Sequence, residues 1–394
     1  MSTDSLTAPA VAGAIETVES HLHPTPSWNL EDHPMPTGRE EIWRFSPIRR
    51  IKALLTDAAS DARLSREEHY PAGVTSSAIS SAQAQELAPE AALDRVAALA
   101  VRHSGGAQLI DIPAEAELTE PVTVRLKGTG EQVWGHLVLR VGAYAKATVV
   151  VHYTGSAAYA EKFDILVGDG AELNLVTVQD WDDDAVHGGQ RSVLVGRDAR
   201  VKTVTASIGG DVVRLQEDAR FAGPGGELEQ YGLYFADAGQ HIEHRLFVDH
   251  NAPKTKSNVD YRGCLQGQGA HTVWIGDVLI RKVAEGIETY EANKNLVLTD
   301  GCQADSVPNL EIETGEIEGA GHSSTTGRFD DLQLFYLRSR GIPDEEARRL
   351  VVRGFFAEII RRIGVAEVET RMLETVEAEL EMAHGSTHTA RDEA

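Results

Sequence analysis

VGAYAKATVVVHYT (141–154), VGDGAELNLVTVQD (167–180) and VGRDARVKTVTASIG (195–209) state one pattern three times. Each opens V-G-x-x-A, takes two or so spacer residues, and runs into a stretch of β-branched and apolar side chains. The starts lie 26 and then 28 residues apart. A corner followed by a strand, repeated at that period, reads as one coil of a parallel β-helix, or a small multiple of one. Isolated glycines in such a region read as corner residues that permit positive φ, not as ligand loops.

Outward from these repeats the same texture continues from about residue 105 to about 315. AQLIDI, VTVRL, WGHLVLRV, KFDILV, RSVLV, DVVRLQE, ELEQYGLYFA, HIEHRLFVDH, HTVWIGDVLI, NLVLTD and PNLEIE are all of strand length. The separators carry Gly, Asp, Asn or a charge. Nothing between them is long and apolar enough for a crossover helix, which argues against a doubly wound fold. A sandwich is the other all-β solution, but some 210 residues of short strands are too many for one. The expected fold is mainly β: a right-handed parallel β-helix over 101–325, an N-terminal helical and extended region over 1–100, and a C-terminal helical region over 326–394.

At the N-terminal side, HLHPTPSWNLEDHPMPTGREEIWRFSP (21–47) is proline-rich and aperiodic, an extended segment with Trp28, Trp43 and Phe45 as anchors. Residues 48–59 and 80–100 read as helices. At the other end, 331–341 stops at Gly341, a helix begins at Pro343, and a last helix carries Val365, Val368, Met372, Val376 and Leu380. The final HGSTHTARDEA reads as frayed.

The charge balance is 61 acidic against 37 basic residues, a net −24, which repels nucleic acid. The first residues are acidic where a signal peptide is basic, and no stretch reaches 18 apolar residues, so a soluble cytoplasmic protein is expected. Two cysteines, Cys264 and Cys302, make neither a disulfide framework nor a self-contained metal site. No phosphate loop, dinucleotide fingerprint or nucleophile elbow is present. DWDDDAVH (180–187) reads as a solvated loop before a hard-cation site. His244 and His250 read as structural imidazoles hydrogen-bonded in the coil. His322 stands in GAGHSSTTG, where small neighbours present an imidazole, a ligand for iron, zinc or copper.

These residues resemble the SufB/SufD family of iron–sulfur cluster assembly proteins, and within it the SufD type. The blocks that carry the resemblance are GREEIWRFSP (38–47), HRLFVDHNAPKTKSNVDYRG (244–263), GIETYEANKNLVLTD (286–300), VPNLEIE (307–313) and GHSSTTGRFDDLQLFYLRSRGIPDEEARRLVVRGF (321–355). Together they cover nearly the whole chain. Two departures stand out: Ala320 occupies a place where SufD relatives often have cysteine, and Ser323 replaces a glycine.

The resemblance implies a non-catalytic scaffold subunit. It pairs with a SufB-like subunit through the β-helices and docks a SufC-like ABC ATPase on the C-terminal helices. A cysteine desulfurase supplies sulfur indirectly. His322 is then a candidate ligand for iron or the nascent cluster at the partner interface, with no cofactor bound tightly by the chain alone and reduced flavin linked to the complex. A SufB-like subunit or a homodimeric SufD-type scaffold is the near alternative. A β-helix carbohydrate-active enzyme is the remote one, and only Asp180, Asp182, Asp183 and Asp184 are dense enough to serve it.

Overall fold

The computed structural model describes residues 24–328 and 331–389; the first 23 residues and 390–394, parts of the expected N- and C-terminal regions, lie outside it. The repeats do form coils of a right-handed parallel β-helix. Two long strands open it, β4 (Val122–Val141) and β5 (Lys146–Val167), after a short β1 (Ser65–His69), β2 (Thr75–Ile79) and β3 (Ala107–Ile112). Strands then alternate between two sheets. One holds β6 (Glu172–Trp181), β8 (Arg200–Ile208), β10 (Glu227–Ala236), β12 (Lys256–Leu265), β14 (Glu288–Val297) and β16 (Gly319–Arg328). The other holds β7 (Val186–Val195), β9 (Val212–Phe221), β11 (His241–His250), β13 (His271–Ile280) and β15 (Gln303–Ile312). The first half of β5 pairs with β6 and the second half with β7, so this strand turns the corner and founds both sheets.

The V-G-x-x-A motif is the corner that carries the chain from one coil to the next. Its alanine N–H donates to the carbonyl of its own glycine in all three copies, Ala145 to Gly142, Ala171 to Gly168 and Ala199 to Gly196. The positive φ falls on the third residue of each turn, Tyr144 at 60°, Gly170 at 65° and Asp198 at 55°. The repeated glycine is therefore needed for room and not for φ. A Cβ on Gly142 would lie 2.3 Å from the backbone of Ala114, and one on Gly168 2.6 Å from that of Ala143. Stacked corners approach too closely for any side chain there, and the alanines plug the core beneath, each fully buried.

Register is marked by a row of charges. Lys146, Glu172, Arg200, Glu227, Lys256 and Glu288 stand at one position of six successive strands, alternating in sign. Ion pairs at 3.5 Å (Lys146–Glu172), 3.3 Å (Arg200–Glu227) and 3.1 Å (Lys256–Glu288) follow. Exposed pairs of this kind add little to stability. A slip by one coil sets like charges side by side, so the row acts against misregister.

Helices clothe the outer faces. Against the β7–β15 sheet lie α1 (Lys52–Leu55) and α3 (Arg95–Ser104), with Trp43, Leu54, Leu55 and Leu99 packed on Trp134 and Val212. The stretch expected as one helix over 80–100 is two, α2 (Ser81–Leu87) and α3, because Pro89 breaks it and Asp94 caps the second through the Ala97 N–H at 2.9 Å. The helix expected over 48–59 shrinks to four residues. Of the three aromatic anchors only Trp43 is fully buried.

Against the β6–β16 sheet lie α5 (Asp344–Arg362) and α6 (Ala366–Thr389), following α4 (Asp331–Ser339). Phe356, Ile359, Ile360, Met372 and Val376 bury on Val176, Val204, Leu233 and Phe235. Burial of such side chains stabilises by about 1.5–3 kcal/mol each. Gly341 has φ +85° and ends α4 as expected. The last helix runs to Thr389, into the stretch expected to fray, whose last five residues lie outside the described ones.

Candidate functional site

Strand β16, GAGHSSTTGR, has no large apolar residue, and its neighbour β15 contains Pro308. Each ends its sheet: β16 pairs with β14 and β15 with β13, and neither has a strand on its far side among the described residues. The β-helix thus finishes in an open coil with two unpaired edges. Such edges invite another chain.

Alternation fixes what the open coil displays. Tyr290 Oη donates to Ser323 Oγ on the outer face at 3.1 Å, and Asn295 Nδ2 to Thr326 Oγ1 on the inner face at 3.4 Å. His322 shares the inner face with Ser324 and Thr326, and it is exposed. The imidazole is presented over the mouth of the coil interior. Ala320, at the head of the strand, turns inward and packs partly on the apolar core.

The interior below that mouth is polar on one side. Asn293 Nδ2 donates to Tyr234 Oη at 2.8 Å, Tyr234 Oη to Asn295 Oδ1 at 2.7 Å, and Ser306 Oγ to Asn293 Oδ1 at 2.8 Å. Deeper in, Tyr261 Oη and Arg191 Nη1 both donate to Glu217, at 3.1 and 2.9 Å. Glu291 lies directly beneath His322 in the register. It is buried, neither carboxylate oxygen has a hydrogen-bond partner, and burial, with the charge of Asp277 second, pushes its pKa up to about 8. A carboxyl in that state is neutral around pH 7 and holds a proton.

The histidines divide. His250 is structural as expected, its ring nitrogens meeting Thr255 Oγ1 at 2.7 Å and Ser257 Oγ at 2.9 Å. His244 is buried too, but neither nitrogen has a hydrogen-bond partner, contrary to the expected hydrogen-bonded role. It lies between the rings of Tyr234 and Tyr261, and burial pushes its pKa down to about 4, leaving it neutral.

The two cysteines differ: Cys302 stands half-buried just ahead of β15 at the open coil, and Cys264 lies deeper. Cys264 is buried beneath α5, where burial pushes the thiol well above its ordinary value, and Cys302 donates its Sγ–H to the Gly267 carbonyl at 3.3 Å.

DWDDDAVH forms a corner between β6 and β7. Asp180 borders a cleft of about 540 Å³ with Asp182, Arg125, Lys127 and Arg371. Burial would raise its pKa, but hydrogen bonds from His152 and Arg371 at 3.2 and 2.7 Å outweigh that and hold it below the ordinary value. An acid–base pair needs one carboxyl free to carry a proton at neutral pH; here Asp180 is bridged and ionised. Among the described residues no cluster of three or more His, Cys, Asp or Glu side chains is arranged to hold a metal.

Glu291 and the polar interior are the features that the sequence reading missed. The signal was there: Thr289, Glu291, Asn293 and Asn295 are polar at every second residue, a stripe on one strand face.

On the C-terminal helices the aromatics part company. Phe356 is buried against the sheet, while Phe335 and Tyr336 on α4 are 70% and 56% exposed, with Leu332 at 77% beside them.

A family model described as SUF system FeS cluster assembly, SufBD core domain, matches residues 124–355. Curated relatives align almost end to end. An iron–sulfur cluster assembly SufBD family protein of Mycobacterium bovis is 46% identical over 396 residues, covering 98% of this chain and 99% of the relative. One of Mycobacterium tuberculosis (strain H37Rv) gives the same figures of 46%, 98% and 99%. One of Mycobacterium leprae is 46% identical over 363 residues, 90% of this chain and 93% of its own length.

Proposed function

The chain belongs to the SufBD family of iron–sulfur cluster assembly proteins, and on that premise we propose that it is a SufD-type scaffold subunit working in the cytoplasm. Its open coil pairs with the corresponding coil of a SufB-like subunit. Its C-terminal helices receive a SufC-like ABC ATPase, and sulfur reaches the complex from a cysteine desulfurase. The observation that carries the reading is His322, exposed on the inner face of an unpaired end coil. An imidazole there can join a thiolate from a partner chain in holding iron, a donor set that suits iron and its clusters.

A SufB-like role is less well supported. It calls for a thiol at the interface; here Cys264 is buried and residue 320, beside His322, is alanine, which leaves only Cys302 on the other edge strand's side. The two bare edges also suit a second copy of the chain, so a homodimer in isolation is the other reading of the same surface.

The test is anaerobic cluster assembly with the co-purified complex carrying His322→Ala. The exposed side chain should cost little stability, within about 0.5 kcal/mol. Iron and sulfide retained by the complex should fall while the subunits still co-purify. His244→Ala is the control: a fully buried ring is lost there, and its defect should appear as a lowered melting temperature. Wild-type cluster yield from the His322 variant would reject the assignment.

A further inference from the structure

His241 and His271 stand side by side at one register position of β11 and β13, on the outer face of their sheet. Their rings are 4.7 Å apart and nearly perpendicular. The outer nitrogen of each meets a carboxylate. His271 Nε2 lies 2.7 Å from Asp305 Oδ2, and His241 Nε2 lies 3.3 Å from Glu243 Oε2. Glu243 also lies 3.4 Å from Arg214 Nε and 3.3 Å from Arg245 Nη1, the setting of an acceptor carboxylate. Asp305 accepts a second hydrogen bond, from Gln303 Nε2 at 2.7 Å, so it too acts as an acceptor. Each Nε2 must then carry the ring proton, which leaves the lone pair on Nδ1.

The two Nδ1 atoms face one another at 3.2 Å. Two lone pairs at that distance repel unless a cation lies between them. Two imidazoles bound at about 2.0–2.1 Å to one tetrahedral ion hold their nitrogens roughly 3.3 Å apart, so the spacing is that of a metal-binding pair. A carboxylate behind each imidazole is the outer shell such ligands carry. His241 is buried. Arg50, a cation on the N-terminal segment, is itself paired with Asp211 at 2.5 Å. The His271 side chain is 23% exposed, enough for an ion to enter and keep water on its remaining positions.

We propose that His241 and His271 form a binding site for a first-row divalent transition-metal ion, with Glu243 and Asp305 orienting the two ligands. Neutral imidazoles select zinc, cobalt, nickel, copper or iron(II) over calcium and magnesium. The ion would tie two adjacent coils together. Because Glu243 also accepts from Ser46 Oγ at 2.7 Å, it would stiffen the seat of the N-terminal segment as well. Asp305 stands on β15, an edge strand of the open coil, while the two ligands lie one and two strands further in; the site does not depend on the proposed function.

The test titrates the full chain with zinc, and with cobalt as a spectroscopic probe, in the presence of magnesium. One saturable equivalent is expected at this site. His271→Ala and His271→Gln should each weaken it at least tenfold. Asp305→Asn, which keeps both ligands, should weaken it roughly 10–100-fold. Melting of the metal-free variants checks that they fold. Three results overturn the proposal: no saturable binding, a site that survives loss of His271, or an affinity indifferent to Asp305→Asn.

Discussion

Glu291→Gln will stabilise the protein at pH 8 and leave it nearly unchanged at pH 5. The wild-type carboxyl is buried without partners, and burial raises its pKa from 4.5 to about 8. Between those values the folded state keeps a proton that the unfolded chain has given up. Stability therefore falls as pH rises through this window, by up to about 1.4 kcal/mol per pH unit, a few kcal/mol in all. Below the unfolded value both states are protonated and the dependence vanishes. Glutamine cannot ionise, so the variant lacks this slope. Asp218 and Asp277, both raised to about 6 chiefly by burial, add a similar but earlier fall that the two proteins share. Chemical denaturation at pH 5, 6.5, 8 and 9 should give curves that part progressively on the alkaline side. Parallel curves would mean that Glu291 has found a partner, water or a side chain, and sits there ionised.

Phe335→Glu should weaken the proposed docking of the ATPase while the fold survives. Phe335, Tyr336 and Leu332 give α4 an exposed apolar face, and an aromatic anchor at such a surface is often worth 2 kcal/mol or more. Loss of affinity by roughly 30-fold or more is expected, read by co-purification and titration of the ATPase subunit. Removing 344–394 instead would strip α5 and α6 from the sheet and bare Val176, Val204, Leu233 and Phe235. Aggregation would then obscure the result, so the point substitution is the cleaner experiment. Undiminished docking by Phe335→Glu would place the ATPase elsewhere.

Much of the fold was legible because a β-helix repeats its constraints. Every corner faces the same steric problem, so V-G-x-x-A recurs, and strands such as HIEHRLFVDH and HTVWIGDVLI coincide with β11 and β13 to the residue. Strands that lack apolar residues were opaque. SREEH (β1) falls unremarked in the region expected to be helical and extended, and GAGHSSTTGR (β16) reads as a stretch of small residues; they are strands because β4 and β14 offer them an edge. Tertiary pairing overrode local propensity in both.

The site was half visible. Small neighbours announced that His322 is displayed. That its neighbour in the register is an unpartnered carboxyl, Glu291, depends on a spacing of 31 residues between β14 and β16, which periodicity does not yield. The His241–His271 pair likewise sits 30 residues apart, and only the stacked coils bring the two rings together.

His322 as an iron ligand is tested most directly by pulsed EPR on the reduced, cluster-bearing complex. The account predicts a ¹⁴N hyperfine coupling from a coordinated imidazole, present in the wild type and absent in His322→Ala. The same coupling in both proteins, or none in the wild type, would contradict it.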